Sequence, residues 1–201
     1  MELRGQRARA AMTEETLDLE VNYLKCCLEP HDMTVFMPVL RAYARECATI
    51  AELGVRKGMS TIALLAGLPA GGKMQSFDQD LCENAEALEA MAEGVGTRWI
   101  FQQCDIYDLH PWPLKPDLLF LDFNHTYKGV TTQLVEFGST ARRWIIVHDT
   151  VSFPDVRVAI ADWLAEAEQR WEIEREYCEG EGLVVLRREH GRDAGKRENP
   201  R

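Results

Sequence analysis

Residues 49–61 read T-I-A-E-L-G-V-R-K-G-M-S-T. The apolar run at 49–55 predicts a buried strand, and Gly54 and Gly58 predict a turn at its end. Ser60 and Thr61 then open a short helical run. A strand that passes through a glycine turn directly into a helix is typical of a parallel sheet in an α/β protein.

The same alternation continues along the chain. Further strands are predicted at 73–78, 97–103, 117–123 and 143–148, with helices at 83–93, 127–137 and 156–170. Two last strands, at 171–178 and 183–188, flank E-G-E-G at 179–182, which predicts a hairpin. We therefore expect an α/β fold with a doubly wound, mostly parallel seven-stranded sheet and an antiparallel final hairpin.

The remaining residues lie outside this pattern. Residues 1–47 contain two helical stretches separated at Pro30, which predicts an N-terminal helical cap. The sheet domain is expected over 48–188. Residues 189–201 are polar and contain glycine and proline, so we expect a disordered tail there.

Composition and charge disfavour several classes of partner. The 201 residues carry 33 acidic and 23 basic side chains, for a formal net charge of -10, which disfavours nucleic acid and anionic membranes. No apolar run approaches the roughly 18 residues that span a bilayer. The six cysteines form no C-x-x-C pair, so we interpret them as reduced thiols of a cytoplasmic protein.

Polar residues gather where the predicted strands end. In sheets of this kind, ligands bind beyond the carboxyl ends of the strands, so these residues are the candidates for a binding site. Acids that merely solvate loop ends are the alternative. The residues are Glu52, Gly54, Asp78, Asp105, Asp122, Asn124, His125, His148 and Asp149.

Three of the strand ends bear on the type of ligand. Arg56 stands where the second glycine of a G-x-G-x-x-G dinucleotide motif would be, which counts against a nicotinamide cofactor. The Asp78 carboxylate could accept hydrogen bonds from both ribose hydroxyls of either NAD or an adenosyl cofactor. Asp105 could accept a hydrogen bond from the exocyclic amine of an adenine, or it could cap a helix.

Three motifs in order resemble the class I S-adenosylmethionine-dependent methyltransferases, and in particular the small-molecule and sugar O-methyltransferases of methyltransferase family 24. They are E-x-G-x-x-x-G-x-S-T at 52–61, D-x-x-H-x-Y at 122–127 and H-D at 148–149. The final hairpin also fits the Rossmann-like fold of that family. The family more often has D-G-D-H where this chain has Phe123 and Asn124, and an amide is a weaker metal ligand than a carboxylate.

The resemblance implies S-adenosylmethionine as cofactor, with 48–188 as the catalytic domain that binds it. Glu52, Gly54 and Ser60 would surround its methionine part, Asp78 its ribose, and Asp105 with Ile106 its adenine. The methyl group would point toward Asp122, His125 and Asp149, which are the expected catalytic residues. The full set expected to bind the cofactor is Glu52, Gly54, Val55, Arg56, Ser60, Thr61, Asp78, Gln79, Asp105, Ile106 and Asp122.

The expected reaction is O-methylation of a small-molecule hydroxyl on a sugar, natural product or phenol. Such a hydroxyl needs a base or a metal, and His125 is the natural base because histidine titrates near neutral pH. Asp122, His148 and Asp149 could hold Mg²⁺ or, with an imidazole among the ligands, Mn²⁺; alternatively the two carboxylates are simply hydrogen-bonded.

Other interpretations stay open from the sequence alone. The N-terminal helices would cover the acceptor or join two copies in a homodimer. The alternatives for function are an NAD-dependent oxidoreductase and a non-catalytic protein that binds an adenosyl ligand.

Overall fold

A computed structural model describes residues 18–109, 112, 114–166 and 171–189. The six α-helices of these residues are α1 (Leu19–Leu28), α2 (Met37–Ala44), α3 (Met59–Gly67), α4 (Ala85–Gly94), α5 (Tyr127–Glu136) and α6 (Pro154–Glu166). The strands are β1 (Thr49–Leu53), β2 (Lys73–Asp78), β3 (Arg98–Gln103), β4 (Leu118–Leu121), β5 (Trp144–His148), β6 (Trp171–Tyr177) and β7 (Leu183–Arg188).

The strands form one seven-stranded sheet in the order β3-β2-β1-β4-β5-β7-β6. The pairs from β3 to β5 are parallel, whereas β7 runs antiparallel to both β5 and β6. This confirms the predicted mostly parallel sheet and its antiparallel hairpin. Because chain order reverses between β1 and β4, the carboxyl ends of these two strands border the crevice where such sheets bind ligands.

Helices cover both faces of the sheet, and alternating strand residues decide which face each side chain enters. On one face, Ile50, Leu118 and Ile146 pack with α1 to α4. On the other face, Ala51 and Leu119 pack with α5 and α6. Four-residue β4 is buried along its whole length, as a central parallel strand should be.

The first two helices share one hydrophobic core with the sheet. Leu19, Tyr23 and Leu40 belong to the same hydrophobic cluster as Ile50. Asp18 caps α1, since its carboxylate accepts the Val21 N–H at 3.1 Å. The division of the chain at 47/48 stays a prediction, and the predicted tail lies, except for Glu189, outside the described residues.

Element boundaries differ from the prediction by a few residues. The predicted strand at 117–123 is shorter in the structure and covers Leu118–Leu121. Asp117 just before it binds the start of β1, since its Oδ2 accepts the N–H groups of Ala48 at 2.8 Å and Thr49 at 3.0 Å. The end of the predicted helix at 156–170 lies outside the described residues beyond Glu166. No described helix is both long enough and apolar enough to cross a membrane.

Candidate active site

Asp78 closes the turn between β1 and α3. Its Oδ2 accepts the N–H groups of Val55 at 2.7 Å and Arg56 at 2.9 Å, while its Oδ1 accepts the Asp80 N–H at 3.0 Å. The side chain is buried, so it ties the end of β2 to the turn. Its expected contact with a ribose stays a prediction.

Glu52 is a fully buried carboxylate beneath the same turn. Its Oε1 accepts a hydrogen bond from Ser60 Oγ at 2.6 Å, and its Oε2 accepts bonds from Thr61 Oγ1 at 2.8 Å and Ser76 Oγ at 2.6 Å. Glu52 and Ser76 are paired across the parallel strands β1 and β2. Trp99 Nε1 donates to Ser76 Oγ at 2.8 Å and extends the network to β3.

The buried position of Glu52 affects its charge. Burial raises the pKa of the Glu52 carboxyl to about 7, although the three hydroxyl donors act in the opposite direction. The side chain is 0% exposed, so in this structure it holds α3 to β1 and β2. Its expected place beside the methionine part of a cofactor stays a prediction, as do that of Ser60 and the expected contact of Thr61 with the cofactor.

Arg56, at the position of the second glycine of a G-x-G-x-x-G motif, has a backbone conformation that glycine adopts most readily. Its φ is 49°, in the left-handed region that non-glycine residues rarely enter. Its guanidinium is exposed and lies 2.8 Å from the Asp32 carboxylate in the loop after α1. The turn therefore keeps a glycine-like shape while presenting a cationic side chain.

Gly54 lets the first turn lie directly against the end of β4. Its φ is +92°, and a Cβ added there would lie 2.1 Å from the Asp122 carbonyl oxygen. The Asp122 N–H donates to the Leu53 carbonyl at 2.8 Å, so both backbones are fixed at this crossing. This close approach places Asp122 beside the turn.

Gly54→Ala is expected to lower the free energy of unfolding by about 2 kcal/mol or more, because the new methyl group meets backbone as well as a strained φ. Gly71→Ala is the matched control: its φ is +83° but a Cβ there would meet nothing within 4 Å. Urea unfolding of both variants separates the two effects. Equal losses of stability would contradict the close approach at Gly54.

Four side chains meet where β4 and β5 end. His125 Nε2 lies 3.2 Å from Asp122 Oδ1 and 3.0 Å from Asp149 Oδ2. His148 Nδ1 lies 3.2 Å and 3.6 Å from the same two oxygens. Both carboxylates are 13% exposed, so each imidazole contacts carboxylates that are largely shielded from solvent.

Within this cluster, Asp122 and His148 shift each other's pKa values toward the ionised forms. Burial alone would raise the pKa of the Asp122 carboxyl, but hydrogen bonds and charges from His125 and His148 outweigh it and hold that pKa below its ordinary value. Burial alone would lower the pKa of His148, but its contacts with Asp122 and Asp149 raise it to about 9. The Asp122 carboxylate is therefore ionised at neutral pH.

The loop after β5 is braced by the final hairpin. Asp149 has a φ of 62°, an uncommon value for a residue other than glycine. The next residues bind the hairpin turn: the Thr150 N–H donates to the Gly182 carbonyl at 3.4 Å, and the Val151 N–H to that of Glu181 at 2.8 Å. The antiparallel hairpin thus fixes the direction of Asp149.

Two cavities adjoin the cluster. One, of about 290 Å³, is lined by Asp122, the first turn and the loop after α1. The other, of about 400 Å³, is lined by His125, Thr126, Phe153, Pro154 and Asp155. The Phe153 ring stacks on the His125 imidazole, with centroids 4.9 Å apart. A larger cavity, of about 590 Å³, lies at the opposite end of the sheet.

The residues after β2 and β3 lie at the same edge but outside these contacts. Asp105 caps a short 3-10 helix, since its Oδ1 accepts the Tyr107 N–H at 3.0 Å. Ile106 is buried in the core, and Gln79 is exposed. The expected contacts of Asp105 and Ile106 with an adenine, and of Gln79 with the cofactor, stay predictions. Capping by Asp105 was the alternative that the sequence left open.

Asn124 shapes the loop before α5. Its Oδ1 accepts hydrogen bonds from the Thr126 N–H at 3.1 Å and from Thr126 Oγ1 at 2.8 Å, and its carbonyl accepts from Gln133 Nε2 at 3.1 Å. The Asn124 side chain thus stabilises the turn that orients His125.

Asp32, Ser76 and Phe153 are among the residues that the structure places at the site and that the sequence did not predict there. A signal existed for Ser76, because a serine within a buried strand needs a polar partner and Glu52 is its neighbour in the sheet. Asp32 and Phe153 reach the site only through packing of the cap and of α6, which local sequence patterns do not report.

Comparisons with known proteins agree with this architecture. Residues 51–150 match a protein-family model described as a methyltransferase domain. None of the curated proteins matches the chain by sequence.

Solved structures share the fold at low identity. The chain is similar to the O-methyltransferase TomG of Streptomyces achromogenes, involved in tomaymycin synthesis and solved with S-adenosylmethionine, at 16% identity, TM-score 0.62, and coverage of 88% of this chain and 91% of that chain. An O-methyltransferase of Bacillus cereus with S-adenosylhomocysteine shows 16% identity, TM-score 0.60, and coverage of 89% and 93%. The Podospora anserina methyltransferase PaMTH1, also with S-adenosylhomocysteine, shows 14% identity, TM-score 0.61, and coverage of 94% and 97%. The expected Rossmann-like fold is confirmed.

Proposed function

This chain belongs to the class I S-adenosylmethionine-dependent methyltransferases, and we propose that it transfers the methyl group to a hydroxyl oxygen of a small molecule. The observation that carries the proposal is the placement of His125 against Asp122 and Asp149 at the carboxyl edge of the sheet. A histidine backed by carboxylates can take a proton from a hydroxyl and bear the resulting charge.

The two cavities beside the cluster suit the two substrates. The cofactor's methionine end would occupy the cavity of about 290 Å³ between the first turn and Asp122. The acceptor would occupy the cavity of about 400 Å³, whose wall includes His125 and Phe153. The methyl group would then lie near Asp122, between the two.

The reaction is a displacement at carbon, and its atoms balance within this site. An oxygen lone pair of the acceptor forms the new C–O bond as the C–S bond breaks, and the sulfur keeps the bonding pair to give S-adenosylhomocysteine. With Nε2 of His125 turned toward the carboxylates, Nδ1 takes the hydroxyl proton. Asp122 and Asp149 stabilise the imidazolium that forms, and positioning supplies the rest of the acceleration.

The same cluster fits a divalent cation. Donor atoms of Asp122, His148 and Asp149 all lie within 4.8 Å of one another, and two carboxylates with one imidazole favour Mn²⁺ over Mg²⁺. We propose these three residues as its ligands. A bound ion would act as a Lewis acid that lowers the pKa of the acceptor hydroxyl. Asn124 lies outside this set because its amide oxygen serves the turn.

Oxygen is the proposed acceptor atom for two reasons. A neutral amine is already nucleophilic, whereas a hydroxyl needs a base of the kind that His125 provides. The solved relatives named above include O-methyltransferases.

The test is a methyl-transfer assay on the purified protein with phenols, sugars, natural-product alcohols and amines, each with Mn²⁺ or with EDTA. We expect S-adenosylhomocysteine and an acceptor heavier by one CH₂ unit for a hydroxyl substrate, and a faster reaction with Mn²⁺. A saturating cofactor at about 100 times its Kd should add roughly 2.7 kcal/mol to folding stability. If the protein binds the cofactor but methylates only amines, the proposal of O-methylation is wrong. If the rate is the same with EDTA and with Mn²⁺, the proposed metal site is wrong.

A further inference from the structure

A cavity of about 320 Å³ lies at the amino ends of β1, β2 and β3, at the opposite edge of the sheet from the candidate active site. Thr49, Lys73 and Arg98 line it and form one row across these strands, because they are paired in register. Gln75 and Ile100 form the next row on the same face, since alternate residues of a strand point the same way. The wall of this cavity therefore includes one face of β2 and β3.

This part of the sheet face lacks the helical cover that the neighbouring strands have. Between β3 and β4 the described residues contain a 3-10 helix, Ile106–Asp108, and no α-helix. On the same face, α5 and α6 pack on Ala51 and Leu119, but the hydrophobic cluster that they form includes no residue of β3. Ile100 is accordingly 39% exposed, whereas Trp99 on the other face is buried. An apolar strand residue is thus left facing the cavity.

The loop before β4 adds apolar groups to the same wall. Leu114 and Pro116 line the cavity together with Ile100. Pro116 is buried and Leu114 packs against the cluster under α5 and α6, so both belong to the folded body of the protein. Sites that bind small molecules have volumes of roughly 300–1,000 Å³, and this cavity is at the lower end of that range. It has room for an aromatic ring or a short alkyl group.

The charged side chains around this cavity are all cationic. The chain as a whole has a formal net charge of -10, yet none of the lining residues in the described part of the chain is acidic. Arg142 is partly neutralised by Asp117, whose Oδ1 lies 3.5 Å from Arg142 Nη1. The other three cations form no ion pair with any residue that the structure describes: Lys73, Arg98 and Lys115. The cavity therefore has an excess of positive charge.

Two of these cations are direct neighbours in the sheet. Lys73 on β2 and Arg98 on β3 are paired in register, and both are exposed. Like charges at paired positions of a sheet destabilise it. A bound anion would turn this repulsion into two attractions. The pairing of Lys73 with Arg98 therefore favours an anionic ligand.

We propose that this cavity binds a small phosphate monoester that carries an apolar group. Lys73 and Arg98 would bind the phosphate, and the apolar group would lie against Ile100 and Pro116. Three uncompensated cations favour a dianion over a monocarboxylate, and a guanidinium can donate two parallel hydrogen bonds to phosphate oxygens. The site is at the other edge of the sheet from the proposed methyl transfer and does not depend on it.

The test is a titration of the whole protein with phenyl phosphate, followed by the NMR shifts of its backbone amides. Phenyl phosphate has no alcohol or phenol hydroxyl, so it is not a methyl acceptor. We expect saturable shifts that are largest at 73–75 and 98–100. Inorganic phosphate, which lacks the ring, and benzamide, which lacks the charge, should each bind about tenfold more weakly.

Two variants, Lys73→Gln and Arg98→Gln, remove the proposed phosphate ligands one at a time. Each should bind phenyl phosphate about tenfold more weakly than wild type does. Without ligand, each should be at least as stable in urea as wild type, because the contact between like charges is gone. Lys128→Gln is the matched control, since Lys128 is an exposed cation of α5 that does not line the cavity. Its affinity for phenyl phosphate should equal that of wild type.

Four results would each contradict this site. They are shifts that do not saturate, inorganic phosphate binding as tightly as phenyl phosphate, unchanged affinity in both cavity variants, and an equal loss of affinity in Lys128→Gln. Shifts that are largest at the turn after β1 would also contradict it, because the anion would then bind at the candidate active site. A protein without methyl-transfer activity would still give the expected titration, so the two proposals fail independently.

Discussion

His125→Ala is expected to lower the rate of methyl transfer by a factor of about 10² to 10⁴, the usual contribution of a general base. The affinity for S-adenosylhomocysteine should stay close to that of wild type, because His125 lines the acceptor cavity and not the cavity beside the first turn. The measurement is kcat with a hydroxyl acceptor, together with calorimetric titration of the cofactor product.

The size of this effect follows from the contacts of His125. Its Nε2 lies within 3.2 Å of both Asp122 and Asp149, so the imidazolium formed during the reaction is held between two carboxylates. Removing the ring takes away the proton acceptor and leaves no replacement at that position. Acceptors with a low hydroxyl pKa, such as nitrophenols, should lose less rate than aliphatic alcohols, because they need the base less.

Two controls separate loss of the base from loss of structure. Added imidazole should restore part of the His125→Ala rate, which a damaged fold would not allow. Phe153→Leu removes the stacked ring while keeping an apolar wall, so it should change KM for the acceptor more than kcat. A His125→Ala enzyme that methylates aliphatic alcohols at the wild-type rate would exclude His125 as the base.

Local patterns were sufficient for most of the fold and for part of the site. Strand and helix periodicities define the elements, and parallel strands bring their carboxyl ends to one edge. For that reason the sequence alone is enough to predict that Asp122, His125 and Asp149 meet. The hairpin at 179–182 was predictable from its glycines, but they leave open which of its two strands opposes the sheet; the structure shows that it is β7.

The rest of the site depends on information that local patterns do not contain. Asp32 lies 24 positions before Arg56, and only packing of the cap joins them. Arg56 and Asp149 both adopt left-handed backbone, which is uncommon for residues other than glycine. Neither long-range packing nor an uncommon backbone conformation leaves a periodic signal in sequence.

The free energy of unfolding of Glu52→Gln, taken relative to that of wild type, is expected to rise by about 3 kcal/mol between pH 4 and pH 8. Burial raises the pKa of the folded-state Glu52 carboxyl to about 7, above the ordinary value of 4.5. The folded state therefore holds this proton more tightly than the unfolded state does. The stability that the group contributes is complete below pH 4.5 and is lost as pH rises toward 7.

The measurement is urea unfolding of both proteins at several pH values across that window. Glutamine keeps the shape of Glu52 without its charge, and the hydroxyls of Ser60, Thr61 and Ser76 can rotate to accept from its amide. Glu86→Gln, on the exposed side of α4, is the matched control. Its difference from wild type should stay flat over the same pH range.

The result bears on the cofactor site because of what Glu52 binds. Ser60 and Thr61 lie in the first turn of α3, so the charge on Glu52 acts on the segment that carries the start of that helix. A stability difference that does not change with pH would mean that three hydroxyl donors solvate the buried carboxylate as well as water does. Glu52 would then be a permanent anion beneath the turn, and its negative field would act on the start of α3 at every pH above its ordinary pKa.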